Sequence, residues 1–341
     1  MAKSAARLKD IAEKTGFSVN TVSLALRGSS RIPDQTRRQI SEAADQLNYL
    51  PNQVAKSLVL KETKSIGLIL TDITNPVLTA VAQAVELELS ERGYLTLFAT
   101  SNNDPALERK MIESFRARRA DGILIFPCNH REIDHIRHLR ARNYPVVMLV
   151  GDPDSGVDAV CMDEKAGAFK AVSHLIEQGH QKIAMFDGSA ERGNRDKLDG
   201  YLTALSQANI AFDPSLVVPP ALPDVRSGYD AMETLIRRDV GASAVICPTD
   251  SLALGGLRYC VRHGIDVPED MAIFGFDDTE FGEHAVISLS SVNYDIGAVT
   301  TLAIDRVIGL INVEGDLPPA VVKQVEPDLV IRESTAPPAR R

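Results

Sequence analysis

Over the first fifty positions, apolar residues recur at the three- and four-residue spacing of short amphipathic helices. Leu8, Ile11 and Ala12 share one such face, Gly16 interrupts it, and Ser18 is placed to cap a second helix that turns Val22 and Leu26 inward. Gly16 tolerates the left-handed conformation that ends a helix. The pair reads as a helix-turn-helix, although two helices alone also suit a plain helical hairpin. The outward face of the second helix holds Val19, Asn20, Thr21, Ser23, Leu24 and Arg27, groups of a size and polarity that can enter a DNA major groove. Pro33 and Asp34 open a third helix with Ile40, Ala43, Ala44 and Leu47 on its inner side, closing a small core and ending by Pro51.

From Ser65 onward the period changes. Ile66 to Leu70, Leu95 to Thr100, Gly122 to Phe126 and Val146 to Val150 are apolar runs of strand length, separated by amphipathic helices such as Val77 to Arg92. A second series begins near Asp163, with a helix through Ala168 to Gln178, strands at Ile183 to Phe186, Ala244 to Cys247 and Ala272 to Phe276, and a helix ending near Ala208. Strands alternating with helices predict parallel α/β sheets. Between the two regimes, NQVAKSL (Asn52 to Leu58) has helical potential but is too short to fold alone in water.

Charge divides the chain at the same place. The whole chain is at −9, yet residues 1–64 contain eleven Lys and Arg against six Asp and Glu. A basic head on an acidic body suits a protein that meets a polyanion through one end. With 341 residues, 44% of them hydrophobic, the chain can bury more than one core. The four cysteines, Cys128, Cys161, Cys247 and Cys260, form no CxxC pair and read as buried thiols of a reducing compartment. The segment MAKSAARLKD has no signal-peptide hydrophobic region and no apolar run reaches 18 residues, so a cytoplasmic protein without membrane partners is expected.

The run LKDIAEKTGFSVNTVSLALRG together with NYLPNQVAKSLVLKETKSIG resembles the DNA-binding headpiece and hinge of the lactose-repressor (LacI/GalR) family, and the resemblance continues through nearly the whole chain. It implies an all-α helix-turn-helix headpiece plus an α/β two-lobed periplasmic-binding-protein-like (type I) domain. The expected division is a headpiece at 1–50, a hinge helix and linker at 51–64, an effector-binding and dimerisation domain at 65–335, and a flexible tail at 336–341. The family's crossovers predict that the segment around Ser290 to Asp295 returns the chain to the first lobe. The resemblance also implies a nucleoid-associated transcriptional regulator, most simply a repressor on a near-palindromic operator in double-stranded DNA. Two-fold symmetry of a homodimer suits such a site, and the tail PPARR carries no leucine heptads of the kind that make tetramers.

Carried over by position, the base-reading residues are Val19, Asn20 and Leu24, with Ser23 alongside. Thr21 and Thr36 match phosphate partners, Arg27 and Arg31 supply positive charge, and Tyr49 and Asn52 position the headpiece on phosphate or sugar. Leu8, Ser18 and Ala55 complete the DNA-contacting set. Asn20 can pair bidentately with adenine, whereas Leu24 stands where other members read guanine with arginine and offers apolar contact only. Leu58 matches the leucine that wedges into a minor-groove base step when two hinges pair, with packing against the larger domain as its alternative role.

For the effector, the resemblance points to Asn75, Val77 and Leu78 in DITNPVL, to Phe126, to Arg192 and Lys197 in GSAERGNRDKLDGY, and to Asp277 in GFDD. Asp250 in PTDSLALG suits a helix cap or a ligand contact. Leu149 replaces an aspartate present near the ligand in several members. With Arg192, Arg195 and Lys197 nearby, this points to a sugar or sugar derivative with acidic or apolar parts, such as a sugar acid or sugar phosphate, and less to a purine. Effector in the cleft would change the lobe angle and so the pairing of the hinges.

Two other classes compete. An enzyme would show HExxH, GxxxxGK[ST], GxSxG or a GxGxxG opening a helix after a strand, and none is present. No cofactor is expected. His130, His135 and His138 near Cys128 could suggest a metal, but their spacing fits a solvated helix face, so no metal is expected. An exported sugar-binding protein would share the two lobes but would have no use for the first sixty residues.

Overall fold

The computed structural model describes residues 6–49, 62–151, 153–189 and 194–336. The chain divides into two compact units, Met1–Thr63 and Lys64–Arg341.

In the first unit, α1 (Leu8–Thr15), α2 (Val19–Leu26) and α3 (Asp34–Gln46) enclose Ile11, Val22 and Ile40, each without solvent exposure. Gly16, at φ 76°, ends α1 with its N–H on the Ala12 carbonyl, and the Ser18 hydroxyl accepts the Thr21 N–H at 3.1 Å. Ala25 joins Val22 in the core, while Leu26 packs at its margin. The third helix ends well before Pro51. Asn48 takes φ 49° and the Tyr49 N–H returns to the Ala44 carbonyl at 2.9 Å, so a left-handed asparagine terminates it where proline was expected to.

The second unit is built on two six-stranded sheets. The first runs β11 (Val322–Val325), β5 (Asp158–Met162), β4 (Val146–Met148), β3 (Gly122–Ile125), β1 (Ser65–Leu70), β2 (Leu95–Thr100), all parallel. The second runs β12 (Leu329–Val330), β10 (Ser290–Asn293), β9 (Ala272–Asp277), β8 (Ala244–Ile246), β6 (Ile183–Phe186), β7 (Val217–Val218), parallel except that β12 opposes β10. Helices cover both faces of each sheet, so the central strands are buried on both sides and read as continuous apolar runs rather than alternating ones. In the first lobe, α4 (Pro76–Glu91) and α12 (Ile296–Ile311) pack on one face. The opposite face carries α5 (Pro105–Ala117) and α6 (Asp134–Ala141). In the second lobe, α7 (Glu164–Glu177) and α8 (Asp196–Gln207) share one core with β9. There α9 (Val225–Arg237) and α10 (Asp250–His263) cover the other face, and the short α11 (Glu280–Glu283) follows β9. The α9 and α10 backbones touch, because a Cβ at Gly228 would lie 2.1 Å from the Leu252 carbonyl oxygen and one at Gly255 would lie 2.1 Å from that of Val225.

The chain crosses between the lobes three times: after Met162 into α7, after Asn293 into α12, and after Val325 into β12. The expected return near Ser290 to Asp295 is therefore present, with β10 still in the second sheet and Tyr294 and Asp295 making the passage. The third crossing, with β11 and β12, has no counterpart in the sequence reading. Asp158, fully buried at the start of β5, holds the segment that leads into β11. Its carboxylate accepts from Arg140 Nε and Arg306 Nε at 2.6 Å each and from the Val321 N–H at 3.0 Å, and the same arginines donate to the Pro318 and Pro319 carbonyls.

Candidate functional site

The two sheets point their strand C-termini at a common cleft of about 230 Å³ in the second unit, where open parallel sheets place ligands. Its first-lobe wall begins at the loop after β1. There Asp72 accepts hydrogen bonds from the Thr74 hydroxyl and from the Thr74 and Asn75 amides. Burial works against its charge, yet these bonds hold its carboxyl below the usual range. The loop is thereby set so that Asn75 caps α4, accepting the Val77 N–H at 2.9 Å, with Pro76 in the first turn. Asn75, Val77 and Leu78 line the cleft with Phe126, which follows β3, and Val150, which follows β4.

The opposite wall carries the acidic groups, beside an apolar stretch at Pro220 to Pro223. Glu164 opens α7 and Lys197 opens α8, and they form an ion pair at 3.0 Å. Lys197 also donates to the Pro248 carbonyl at 2.9 Å and its ammonium lies 4.5 Å from the Phe276 ring centre. Burial would raise Glu164, but the Lys197 charge and the Asn194 hydrogen bond keep its carboxyl below the usual value. Asp187, just past β6, is fixed by the Ser189 amide and hydroxyl, at 3.1 and 2.9 Å. Asp277 closes β9 with φ 101° and Asp278 follows at φ 52°, two left-handed non-glycine residues in succession. Such backbone is retained where surrounding bonds over-determine it. Here Asp278 is held by Asn293 at 2.8 Å and Arg332 at 2.7 Å, and its N–H donates to Ser291. Burial pushes the Asp277 carboxyl well above the usual range, with Lys197 opposing.

Several sequence-predicted residues fall elsewhere. Leu149 is 0% exposed and belongs to the first-lobe core, because successive residues at a strand end face opposite sides and Val150 takes the cleft. Asp250 is neither a cap nor a lining residue, since Thr249 caps α10 and faces the cleft. The Asp250 carboxylate is buried and accepts from the Thr279 amide and hydroxyl and from the Ser291 hydroxyl, at 2.7 to 2.9 Å, binding the loop behind Asp277. Burial pushes it up to about 6. Arg195 is half exposed, 3.8 Å from Asp199. Arg192 lies outside the described residues. The histidines diverge: His135 bonds to Glu108 at 2.6 Å, His130 lines the cleft and His138 is exposed. Cys128 is half-buried rather than buried, its Sγ 3.1 Å from the Ser101 hydroxyl, while the other three cysteines are buried. Sequence reasoning missed Glu164, Asp187 and Tyr294. Asp187 alone carried a signal, as a carboxylate directly after a recognised strand.

In the headpiece, Val19 (45% exposed), Asn20 and Arg27 are open to solvent on or beside α2, whereas Thr21, Ser23 and Leu24 are half-buried. Arg31 is exposed and Thr36 half-buried. Leu8 and Tyr49 pack against the headpiece core. Asn52, Ala55 and Leu58 lie outside the described residues.

Known proteins carry both units. Residues 7–52 match the model for bacterial regulatory proteins of the lacI family, and residues 172–335 match the periplasmic binding protein-like domain. A probable HTH-type transcriptional repressor, ExuR of Bacillus subtilis (strain 168), is 32% identical over 89% of this chain and 91% of its own length. The chain belongs to the LacI family. It is a ligand-responsive, DNA-binding transcriptional regulator, and not an enzyme. Among solved structures, the Lac repressor dimer bound to operator and the anti-inducer ONPF aligns with a TM-score of 0.88 at 22% identity, covering 97% of this chain and 99% of that one, which shows the fold. The transcriptional regulator CelR in complex with cellobiose aligns with a TM-score of 0.69 at 28% identity, over 96% of this LacI-family chain and 99% of CelR. Among the described residues, no helix of this LacI-family regulator is long and apolar enough to cross a membrane.

Proposed function

We propose that this LacI-family protein is a repressor that binds a near-palindromic operator as a homodimer and answers to a neutral sugar in its interlobe cleft. The observation that carries the effector reading is the charge of the cleft. Glu164, Asp187 and Asp277 face one described ammonium, Lys197, which is already paired with Glu164. An acid or phosphate would meet the Glu164 and Asp187 carboxylates there, whereas hydroxyls can donate to them. Val77, Leu78, Phe126 and Leu222 offer the apolar surface on which a sugar ring packs. The CelR relative binds cellobiose. Calorimetry with D-glucose, D-galactose, D-ribose, D-glucuronate and a hexose 6-phosphate tests the reading: a neutral sugar is expected to bind at least tenfold more tightly than either anion, and preference for an anion overturns it.

Headpiece roles follow the exposed face of α2. Asn20 reads a base, Val19 and Leu24 make apolar contacts, and Ser23 lies beside them. Thr21, Thr36, Arg27 and Arg31 meet the backbone. Residues 1–50 form the headpiece and 51–64 the hinge, with Asn52, Ala55 and Leu58 meeting DNA; 65–335 bind effector and pair. Exposed Leu95 and Phe98 on the edge strand β2, and Phe281 and Val286 in the second lobe, support pairing of two copies. The protein acts in the cytoplasm, on the nucleoid. Asn20→Ala is expected to weaken operator binding by about 1–3 kcal/mol and relax preference at one base pair. Equal losses on operator and random duplex, measured at one salt concentration, would remove the base-reading role.

A further inference from the structure

Among the described residues, three buried hydroxyls have no hydrogen-bond partner: those of Thr96, Tyr294 and Thr300. Of these only Tyr294 lines the cleft. A buried hydroxyl left unpaired costs about 1–3 kcal/mol, so such a group persists where something else offsets the loss. Tyr294 also occupies a particular place in the chain. It lies in the second crossover, between β10 and the Asp295 cap of α12, and its own carbonyl accepts the Ile296 N–H at 2.7 Å. Its side chain packs against the hydrophobic cores of both the first and the second lobe. A side chain gripped by both lobes has little freedom to seek a protein partner for its hydroxyl.

We propose that the Tyr294 hydroxyl is an effector contact at the floor of the cleft, donating its hydrogen bond to one hydroxyl of a neutral sugar. This rests on the sugar reading of the cleft and adds which group of the sugar is sensed and how. Burial pushes the ionisation of the phenol upward, with Glu164, Cys161 and Asp277 adding to it electrostatically, so it remains a donor throughout the physiological range. A ligand atom at this point must accept from the phenol while the neighbouring Glu164 carboxylate offers only acceptors. A sugar hydroxyl suits both, because its oxygen accepts and its proton donates. A carboxylate or phosphate oxygen only accepts, and would satisfy Tyr294 while facing the Glu164 carboxylate. Occupancy of this subsite is felt by both lobes through one ring, which makes Tyr294 a coupling element as well as a contact.

Tyr294→Phe removes the hydroxyl and leaves the ring. Calorimetry is run on the full-length protein and on this variant with D-glucose, D-galactose, D-ribose and D-glucuronate, alongside thermal unfolding of both without sugar. The neutral sugar that binds the unsubstituted protein most tightly is expected to lose about tenfold in affinity in the variant. The ligand-free melting temperature is expected to hold or rise, since an unpaired buried polar atom has gone. Unchanged affinity for that sugar overturns the Tyr294 assignment while leaving the cleft reading intact. Binding of D-glucuronate in preference to every neutral sugar, or of none of the four, overturns the cleft reading and the Tyr294 assignment with it. A fall of several degrees in the ligand-free melting temperature would mark the hydroxyl as structural and also overturn the assignment. Tyr294→Leu, which empties the ring's place between the lobes, is expected to lower that temperature and so shows that the measurement registers lost packing.

Discussion

Asp158→Ala is expected to destabilise the Lys64–Arg341 unit by about 3–5 kcal/mol, read as a lower urea midpoint at constant slope. The size of the effect comes from what is left behind. Arg140 and Arg306 both spend their charge on this one carboxylate, which has no exposure to water. Removing it strands two guanidinium groups against each other in a low-dielectric setting, where the Pro318 and Pro319 carbonyls alone remain to them. The Val321 N–H loses its acceptor as well, so the approach to β11 is released from the first sheet. A loss below about 1 kcal/mol would mean that water reaches both arginines, as at exposed ion pairs. Arg306→Met in the Asp158→Ala background is expected to recover part of the loss, because it removes one stranded charge while keeping the volume filled.

The second large effect is a dependence on pH centred on Asp250. Its carboxyl is pushed from the ordinary 3.8 up to about 6 by burial, against the opposing hydrogen bonds from Thr279 and Ser291. A group that holds its proton more tightly in the folded chain than in the unfolded one adds stability below the unfolded value, and that addition disappears as the pH rises through the folded value. Between about pH 4 and 6 the unfolded chain has released this proton while the folded chain retains it, so stability falls across the window, by about 3 kcal/mol in total. Asp250→Asn keeps the shape and an acceptor for Thr279 but has no proton to exchange. The variant's stability relative to the unsubstituted protein is therefore expected to improve by about 3 kcal/mol between pH 3.5 and pH 7, measured by urea unfolding across that range. Parallel pH profiles for the two proteins would show that Asp250 ionises without penalty. After burial, the Asp250 charge is among the causes that raise Asp277, so the amide variant is also expected to let Asp277 ionise at lower pH.

The parts of the fold that could be read in advance share one property: they are buried on both faces and bounded by residues that break the pattern. β1 and β6 are such runs, and their limits were legible to within a residue. β11, with the sequence VKQV, is an edge strand whose middle residues face solvent, so no hydrophobic pattern marks it. The two-residue strands β7 and β12 exist only through their partners. In the cleft the limit is parity. Asn75, Val77, Leu78, Phe126, Lys197 and Asp277 come together because each stands at the end of a recognisable strand or the start of its helix. A shift of one position exchanges the two sides of a strand, which is why Leu149 is in the core and Val150 on the wall. Asp250 illustrates a different limit. Its role is fixed by Thr279 and Ser291, whose proximity depends on β9 and β10 being neighbours. Tyr294 required the three-dimensional structure, since nothing local distinguishes a tyrosine whose hydroxyl has a partner from one whose hydroxyl does not.

The threefold passage of the chain between the lobes has a consequence for any attempt to dissect the protein. Neither lobe corresponds to a continuous stretch of gene: the first sheet needs β11 from near the C-terminus, and the second sheet is completed only by β12 after that. A chain cut short after Asn293 would lack α12 and β11 of the first lobe and β12 of the second, so one nonsense mutation injures both halves at once. Expressing a lobe alone requires splicing distant segments, and heat should melt the pair in a single cooperative transition, because neither half can be completed while the other is undone.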